Sequence, residues 1–238
     1  MKKLFALLLV SLVGLSAAEL KFGMAANYPP FEFIDNENKI TGFDADLVDA
    51  LSKKIGFSYK FVNMNFDGLI VALKTGKIDA IASAMSATSE RRNSVDFTDS
   101  YYSTENIYLR KKGNDSIKDK ASLSGKKIGV QLGTVQEMAA KEIDKAKIVP
   151  SEETVTLVLG LKAGKLDAII LDSSIGYGYL KQNPQLEEFY KESDGSEGFS
   201  MAFDKGKNKE LIEKINAALK ELKQDGTYDK LLEKYDLK

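Results

Sequence analysis

Two oppositely charged side chains in this chain stand at the ends of predicted strands. Arg91 follows the apolar segment "KIDAIASA" within "SATSERR", where a helix is predicted to begin, and Asp172 ends the apolar segment "KLDAIIL". An arginine guanidinium grips a carboxylate with two parallel hydrogen bonds. A carboxylate at the edge of an apolar sheet needs a cationic partner, which an ammonium group could supply. Together the two residues complement the charged ends of a free α-amino acid.

Each of these residues also has an ordinary structural role open to it. Arg91 could be a solvated surface side chain, as we expect for its neighbour Arg92, and Asp172 could cap the helix that follows it. Arginine is scarce here, with three arginines among the 34 basic residues, which gives Arg91 weight as a carboxylate ligand. For Asp172 the sequence leaves both roles open.

Aromatic and helix-capping residues follow other predicted strands. Tyr28 lies in "YPPF", a segment that its prolines keep out of regular structure, and Phe66 follows the predicted strand "SYKFVNM". Either ring could flank a ligand side chain or belong to the core. "GTVQE" predicts a helix that begins after Thr134, because Glu137 stands three residues later as in a capping box. Free backbone N–H groups at such a helix start could help to hold a carboxylate.

The elements that must position these residues alternate between short β-rich runs and helical runs, which predicts an α/β fold. The series strand, helix, strand, helix, strand runs from "LKFGMA" to "KIDAIASA" and starts again at "LSGKKIGVQL". In such sheets the carboxyl ends of parallel strands meet at one crevice. The residues that follow each strand should therefore lie together.

A repeated phrase predicts two lobes of the same build. "VALKTGKIDAI" begins at Val71 and "LGLKAGKLDAII" begins at Leu159, 88 residues later, with seven identical residues in register. Coincidence is the alternative, and seven identities in register make it the weaker explanation. Each lobe would hold half of a site, so ligand binding should close the lobes on one another.

The chain end predicts how the lobes are connected. The segment "NKELIEKINAALKELKQDGTYDKLLEKY" predicts two helices broken at Asp225-Gly226, and no strand follows them, so we expect them to pack on the first lobe. The chain would then cross between lobes near residues 102–107 and 198–202. These crossings divide it into a discontinuous lobe 1, residues 19–104 and 203–238, and a lobe 2, residues 105–202.

The first 18 residues have the three parts of a secretory signal peptide, "MKK", the apolar run "LFALLLVSLVGL" and the small residues "SAA". The apolar run has 12 residues, whereas a membrane span takes about 20. The chain has no cysteine, so neither disulfides nor a lipid-carrying thiol is expected. We expect cleavage after Ala18 and export to the periplasm without a lipid anchor.

Charge and histidine content argue against several function classes. The chain carries 34 basic and 35 acidic side chains with the signs interspersed, which does not indicate nucleic acid or an anionic membrane as a partner. The absence of histidine excludes Ser-His and Cys-His nucleophiles and imidazole metal sites. We expect neither a metal nor a cofactor.

A set of motifs resembles the periplasmic amino-acid-binding proteins of ABC importers, the group that includes the glutamine and the lysine/arginine/ornithine/histidine binders. The motifs occur in family order: "YPPFEF", "GFDADL", "FDGLIVAL", "SATSERR", "VDFTDSYY", "GVQLGT" and "DGTYDKL". The resemblance covers essentially the whole mature chain. It implies a two-lobed type II periplasmic-binding-protein fold with the ligand in the interlobe cleft, and a monomer that delivers a free L-amino acid to a membrane permease.

The resemblance also implies roles for individual residues. Arg91 would hold the α-carboxylate with help from the backbone at Ser86 and Thr134. Asp172, the Ser86 hydroxyl and the Ala84 backbone carbonyl would hold the α-ammonium. The remaining implied contacts flank the ligand side chain or set its selectivity: Tyr28, Phe66, Gln131 and Gln136.

One position departs from the family pattern. Many members have an acidic residue three positions before the cleft aromatic, where this chain has Ala25. This departure argues against a lysine or arginine ligand, although another acid could substitute. Asn27, Asn65 and Gln131 favour a polar, hydrogen-bonding pocket instead.

Two alternatives share the fold. It is also used by secreted cyclohexadienyl or arogenate dehydratases, which need a cleft acid of raised pKa, and Asp172 would be that acid here. An ammonium clamp would commit Asp172 to binding, so we expect a binding protein and not an enzyme. A ligand-presenting partner of a chemoreceptor has the same binding chemistry, and nothing in the sequence separates it from import.

Overall fold

The structure is a computed structural model that describes residues 19–238. The predicted signal peptide, residues 1–18, lies outside the described residues. Within the described range, no helix combines the length and the apolar character that crossing a bilayer requires.

Strands and helices are numbered in chain order. The strands β1 to β13 are Leu20–Met24, Asn27–Tyr28, Glu32–Ile34, Ile40–Thr41, Tyr59–Asn63, Ala80–Ile81, Val95–Phe97, Glu105–Lys111, Lys127–Gln131, Lys147–Ser151, Ala168–Asp172, Leu186–Ser193 and Ala202–Asp204. The helices α1 to α8 are Phe43–Ile55, Leu69–Lys74, Ser89–Arg92, Val135–Lys141, Thr154–Lys162, Ser173–Gln182, Lys209–Gln224 and Thr227–Lys234. Single 3₁₀ turns lie at Phe66–Gly68 and Ala121–Leu123.

The first sheet has the strand order β5-β1-β6-β13-β7. Strands β5, β1 and β6 are parallel, and β13, from near the chain end, runs antiparallel between β6 and β7. Helix α1 packs against α7 and α8, and all three contribute to one core cluster with this sheet. That cluster is rich in fully buried aromatic side chains: Phe22, Phe31, Phe43, Phe199 and Phe203.

The second sheet has the order β10-β9-β11-β8-β12. Strands β10, β9 and β11 are parallel, whereas β8 pairs antiparallel with both β11 and β12. All five residues of β11 are buried, which explains its unbroken apolar sequence, because a central strand covered on both faces alternates little. The α/β fold with two parallel-rich sheets is confirmed.

The repeated phrase forms the same unit in both sheets, a helix that ends at a glycine and the strand that follows it. Gly76 and Gly164 end their helices at φ angles of 72° and 70°, in the left-handed region that favours glycine. The Asp79 carboxylate then accepts the backbone N–H of Lys21 at 2.8 Å, and the Asp167 carboxylate accepts that of Lys127 at 2.7 Å. Each aspartate thus fastens the start of its strand to the neighbouring parallel strand, β1 for Asp79 and β9 for Asp167.

The two connections between the sheets run side by side. The Phe199 N–H donates to the Tyr102 carbonyl at 2.7 Å. The Ser200 N–H donates to the Met85 carbonyl at 3.0 Å, and Ala202 is the first residue of β13. Residues 199–202 are therefore hydrogen-bonded to the first sheet and its loops, whereas the predicted boundary assigned them to the second lobe. The hinge positions stay a prediction.

Candidate functional site

A narrow cavity lies between the two sheets. Its lining includes all nine residues singled out from the sequence: Tyr28, Phe66, Ala84, Ser86, Arg91, Gln131, Thr134, Gln136 and Asp172. Four further residues complete the lining, namely Ala25, Glu32, Ser83 and Val135. The convergence follows from topology, because these residues lie at the carboxyl ends of the parallel strands β1, β5, β6, β9 and β11 or in the segments that follow those strands.

Arg91 is buried in this cavity, with 6% of its surface exposed. Helix α3 places it there, and the Thr88 hydroxyl caps that helix by accepting the Arg91 backbone N–H at 3.1 Å. The guanidinium donates to the Ser86 carbonyl at 2.8 Å and, across the cleft, to the Gly133 carbonyl at 2.9 Å. It also lies 5.5 Å from the centre of the Phe66 ring.

The charge state of Arg91 suits an anionic ligand. Burial lowers its pKa to about 10, partly offset by the carboxylates of Asp172, Glu90 and Asp194, so it stays charged at neutral pH. A guanidinium has five N–H donors, of which two are used within the protein. The remaining donors can hold a carboxylate.

Asp172 lies on the opposite side of the cleft with 5% of its surface exposed. One carboxylate oxygen accepts the Tyr28 hydroxyl, and the other accepts the Gln136 amide at 3.1 Å. Burial raises its pKa to about 7, and the hydrogen bond from Tyr28 opposes that rise. Asp172 does occupy the N-cap position of α6, but its side chain makes no capping hydrogen bond. Helix capping is therefore not the role of the Asp172 carboxylate.

Thr134 caps α4 as predicted. Its hydroxyl accepts the Glu137 backbone N–H at 3.3 Å, while the Glu137 carboxylate reaches back to the Gly133 N–H at 2.8 Å. The Thr134 hydroxyl donates to the Gln131 carbonyl at 2.7 Å. The Gln131 amide donates to the Glu152 carbonyl at 3.2 Å. These hydrogen bonds hold the loop that carries Gly133 beside the cavity.

Glu32 is the charged lining residue that the sequence reading missed. It is 1% exposed, and its carboxylate accepts the Ser83 hydroxyl at 2.7 Å, while Ser83 accepts the Ala25 N–H at 2.9 Å. Its carboxyl group is also hydrogen-bonded to that of the neighbouring Asp44, which requires a proton between the two groups. Burial, followed by the charge of Asp44, raises the pKa of Glu32 well above its usual value.

The register of the small sheet explains why Glu32 lies at the cavity. Tyr28 and Glu32 are register partners across the tight turn in "YPPFE", so their side chains share one face of the small sheet formed by β2, β3 and β4. Two of the polar residues expected in the pocket lie elsewhere. Asn65 does not line the cavity, and the Asn27 side chain donates to the Glu152 carbonyl at 3.3 Å on the cleft rim.

Comparisons with known proteins cover nearly the whole described chain. The model of the family described as bacterial extracellular solute-binding proteins, family 3, matches residues 20–238. A Campylobacter jejuni relative named "Probable histidine-binding protein" is 54% identical over 218 residues, covering 92% of this chain and 85% of the relative. The Escherichia coli "ABC transporter arginine-binding protein 1" is 39% identical over 242 residues, covering 99% of each chain.

A solved structure carries the same fold. "An ancestral arginine-binding protein bound to arginine" is 41% identical, with a TM-score of 0.86, covering 92% of this chain and 99% of that one. The family match spans nearly the whole described range, and the fold and cleft agree with it. The chain therefore belongs to the bacterial extracellular solute-binding proteins of family 3.

Proposed function

We propose that this protein captures a free L-α-amino acid with a cationic side chain, arginine above all, in the periplasm and delivers it to an ABC importer. The observation that carries the proposal is a cavity that buries one guanidinium and two acidic side chains, Arg91, Asp172 and Glu32. The names of the relatives support the same ligand class, since they are histidine- and arginine-binding proteins.

Two of these charged residues, Arg91 and Asp172, bind the α-carboxylate and the α-ammonium of the ligand. Arg91 has unused N–H donors for the α-carboxylate, and it is rigidly held by two backbone carbonyls. Asp172 supplies the negative charge for the α-ammonium, with the Ser86 hydroxyl and the Ala84 carbonyl as further acceptors on the lining. The ammonium would replace the Tyr28 hydroxyl or the Gln136 amide as a partner of Asp172.

Glu32, the third charged residue of the cavity, selects the side chain of the ligand. A buried carboxyl group stays neutral unless a cation approaches, because desolvation penalises its charged form. Glu32 and Asp44 share a proton through the hydrogen bond between them, and a guanidinium or ammonium on the ligand side chain would favour the ionised form of Glu32, which lines the cavity. Ala25 argued against a cationic ligand, yet its methyl group leaves room for Glu32 at the cavity wall, which is the substitute acid that the sequence reading left open.

Replacing Glu32 by glutamine is the direct test of the ligand class. We expect the affinity for arginine to fall about tenfold, because one charge-assisted interaction is lost. The affinity for citrulline, which has arginine's shape without its charge, should change less than about threefold. Titration calorimetry gives both values, and Glu37→Gln on the exposed surface is the matched control. Equal losses for the two ligands would contradict a cationic ligand, and a wild type that binds no amino acid would contradict the function.

The affinity for arginine should rise with pH through neutrality. The pKa of Asp172 is about 7 in the empty protein, and that of Glu32 is raised well above its usual value; both must fall when the ligand's cationic groups bind, so binding releases protons. The rise due to Asp172 ends above about pH 7, where that carboxylate is already ionised, and below it each pH unit should weaken binding by up to about tenfold per proton. Calorimetry in buffers of different ionisation enthalpy measures the released protons. Proton uptake on binding at pH 6 would contradict this assignment.

A dehydratase remains the second candidate, because an acid with a pKa of about 7 is what a general acid would need. Asp172 is bonded to Tyr28 and Gln136, and Arg91 faces it across the cavity, an arrangement that suits a clamp. Incubation with arogenate separates the two, since an enzyme would release phenylalanine and a binding protein would not. Presentation to a chemoreceptor would share all of this binding chemistry.

A further inference from the structure

We infer that Asp44 is a positioning residue, which holds the backbone of Ala84 in a left-handed turn so that the Ala84 carbonyl can receive the ligand's α-ammonium. This inference rests on the proposed function. It concerns a residue behind the cavity wall, in the first turn of α1, that does not line the cavity itself.

Ala84 has an unusual backbone. Its φ angle is 42°, in a region that side chains with a Cβ rarely adopt and that glycine adopts freely. Ala84 lies on the cavity wall, and no residue within the described range donates a hydrogen bond to its carbonyl. A strained residue with a free carbonyl at a cavity needs a neighbouring group that maintains its conformation.

Asp44 is that group. Its carboxylate accepts the Ala84 backbone N–H at 2.7 Å, and the same oxygen accepts the Tyr101 hydroxyl at 2.7 Å. Asp44 has no exposed surface. Without this bond the Ala84 N–H would lose its acceptor in the protein interior, so the bond can offset the strain of the turn. Relaxation of Ala84 to a negative φ would rotate the adjoining peptide units and move the carbonyl.

The test compares a variant that removes both bonds to this oxygen with a variant that removes only the bond from Tyr101. Asp44→Ala removes the acceptor of the Ala84 N–H, and Tyr101→Phe removes the other donor while leaving that N–H bonded. We expect Asp44→Ala to weaken arginine binding about tenfold or more, and Tyr101→Phe to weaken it less than about threefold. Equal losses in the two variants would overturn the inference.

Rescue distinguishes positioning from a general structural role. Glycine adopts positive φ without strain, so Ala84→Gly added to Asp44→Ala should recover part of the lost affinity, although it adds no contact. Citrulline should lose affinity in Asp44→Ala as arginine does, because both ligands carry the α-ammonium. Absence of rescue, or a loss confined to arginine, would overturn the inference and indicate that Asp44 acts only through its charge.

If Asp44→Ala does not fold, two further variants test whether the position of the oxygen at residue 44 affects ligand affinity. Asp44→Asn keeps an oxygen at the same distance and should stay within about threefold of the wild type, whereas Asp44→Glu displaces the carboxylate and should lose about tenfold. Equal affinities in these two variants would overturn the inference. A wild type that binds no amino acid would overturn both it and the proposed function, whereas normal wild-type binding with an unaffected Asp44→Ala would overturn the inference alone.

Discussion

Replacing Arg91 by lysine should reduce amino-acid affinity by about ten- to a hundred-fold while the fold is kept. A lysine ammonium is a point charge, and it cannot make two parallel bonds to a carboxylate while also holding the carbonyls of Ser86 and Gly133. Titration calorimetry measures the loss, and thermal unfolding without ligand checks the fold.

The neighbouring arginine offers a matched control. Arg92 is more exposed and pairs with Glu197 at 2.6 Å, so Arg92→Lys makes the same chemical change outside the cavity. We expect that variant to bind as the wild type does. An Arg91→Lys variant with wild-type affinity would mean that this side chain does not hold the ligand carboxylate.

Replacing Asp172 by asparagine should reduce binding on the order of a hundred-fold, because it removes the charge that pairs with the α-ammonium deep in the protein. The empty protein should unfold at the same or a higher temperature. Burial raises the pKa of this carboxyl to about 7, which means that its ionised form is destabilised in the folded, empty state at neutral pH.

The sign of the stability change separates two roles of Asp172. A carboxylate that serves the ligand weakens the empty protein, so its removal should not lower the unfolding temperature. Asp167→Asn is the control, since that carboxylate accepts the Lys127 N–H and should stabilise the empty protein. A variant at Asp172 that unfolds earlier and binds normally would assign this residue to structure.

The site could be predicted from the sequence where its residues follow strands. Arg91 lies in the helix that follows β6, and Asp172 is the last residue of β11; the apolar repeats that precede them identify those strands without knowledge of the fold. Parallel topology then brings both residues to the same cleft. Short-range sequence patterns therefore locate Arg91 and Asp172, and the rule that ligands bind at the carboxyl ends of parallel strands predicts that the two residues share a site.

Glu32 could not be found in this way, because its position depends on strands of two and three residues. Such strands are too short to show an alternating pattern. β8 was missed for a different reason. The sequence pattern did not indicate this strand, which pairs antiparallel with β11 and β12, partners more than 50 residues away in sequence. Pairing at that separation leaves no local trace in the sequence.

The repeated unit of helix, glycine and strand provides a way to observe lobe motion in solution. Val71 and Leu159 occupy equivalent places in the repeated phrase, on α2 and α5, and they are 64% and 56% exposed. Neither lines the cavity, and the chain has no cysteine. Cysteines introduced at these two positions would therefore carry a pair of fluorophores, one on each lobe, whose energy transfer would report the spacing of the lobes as arginine is added.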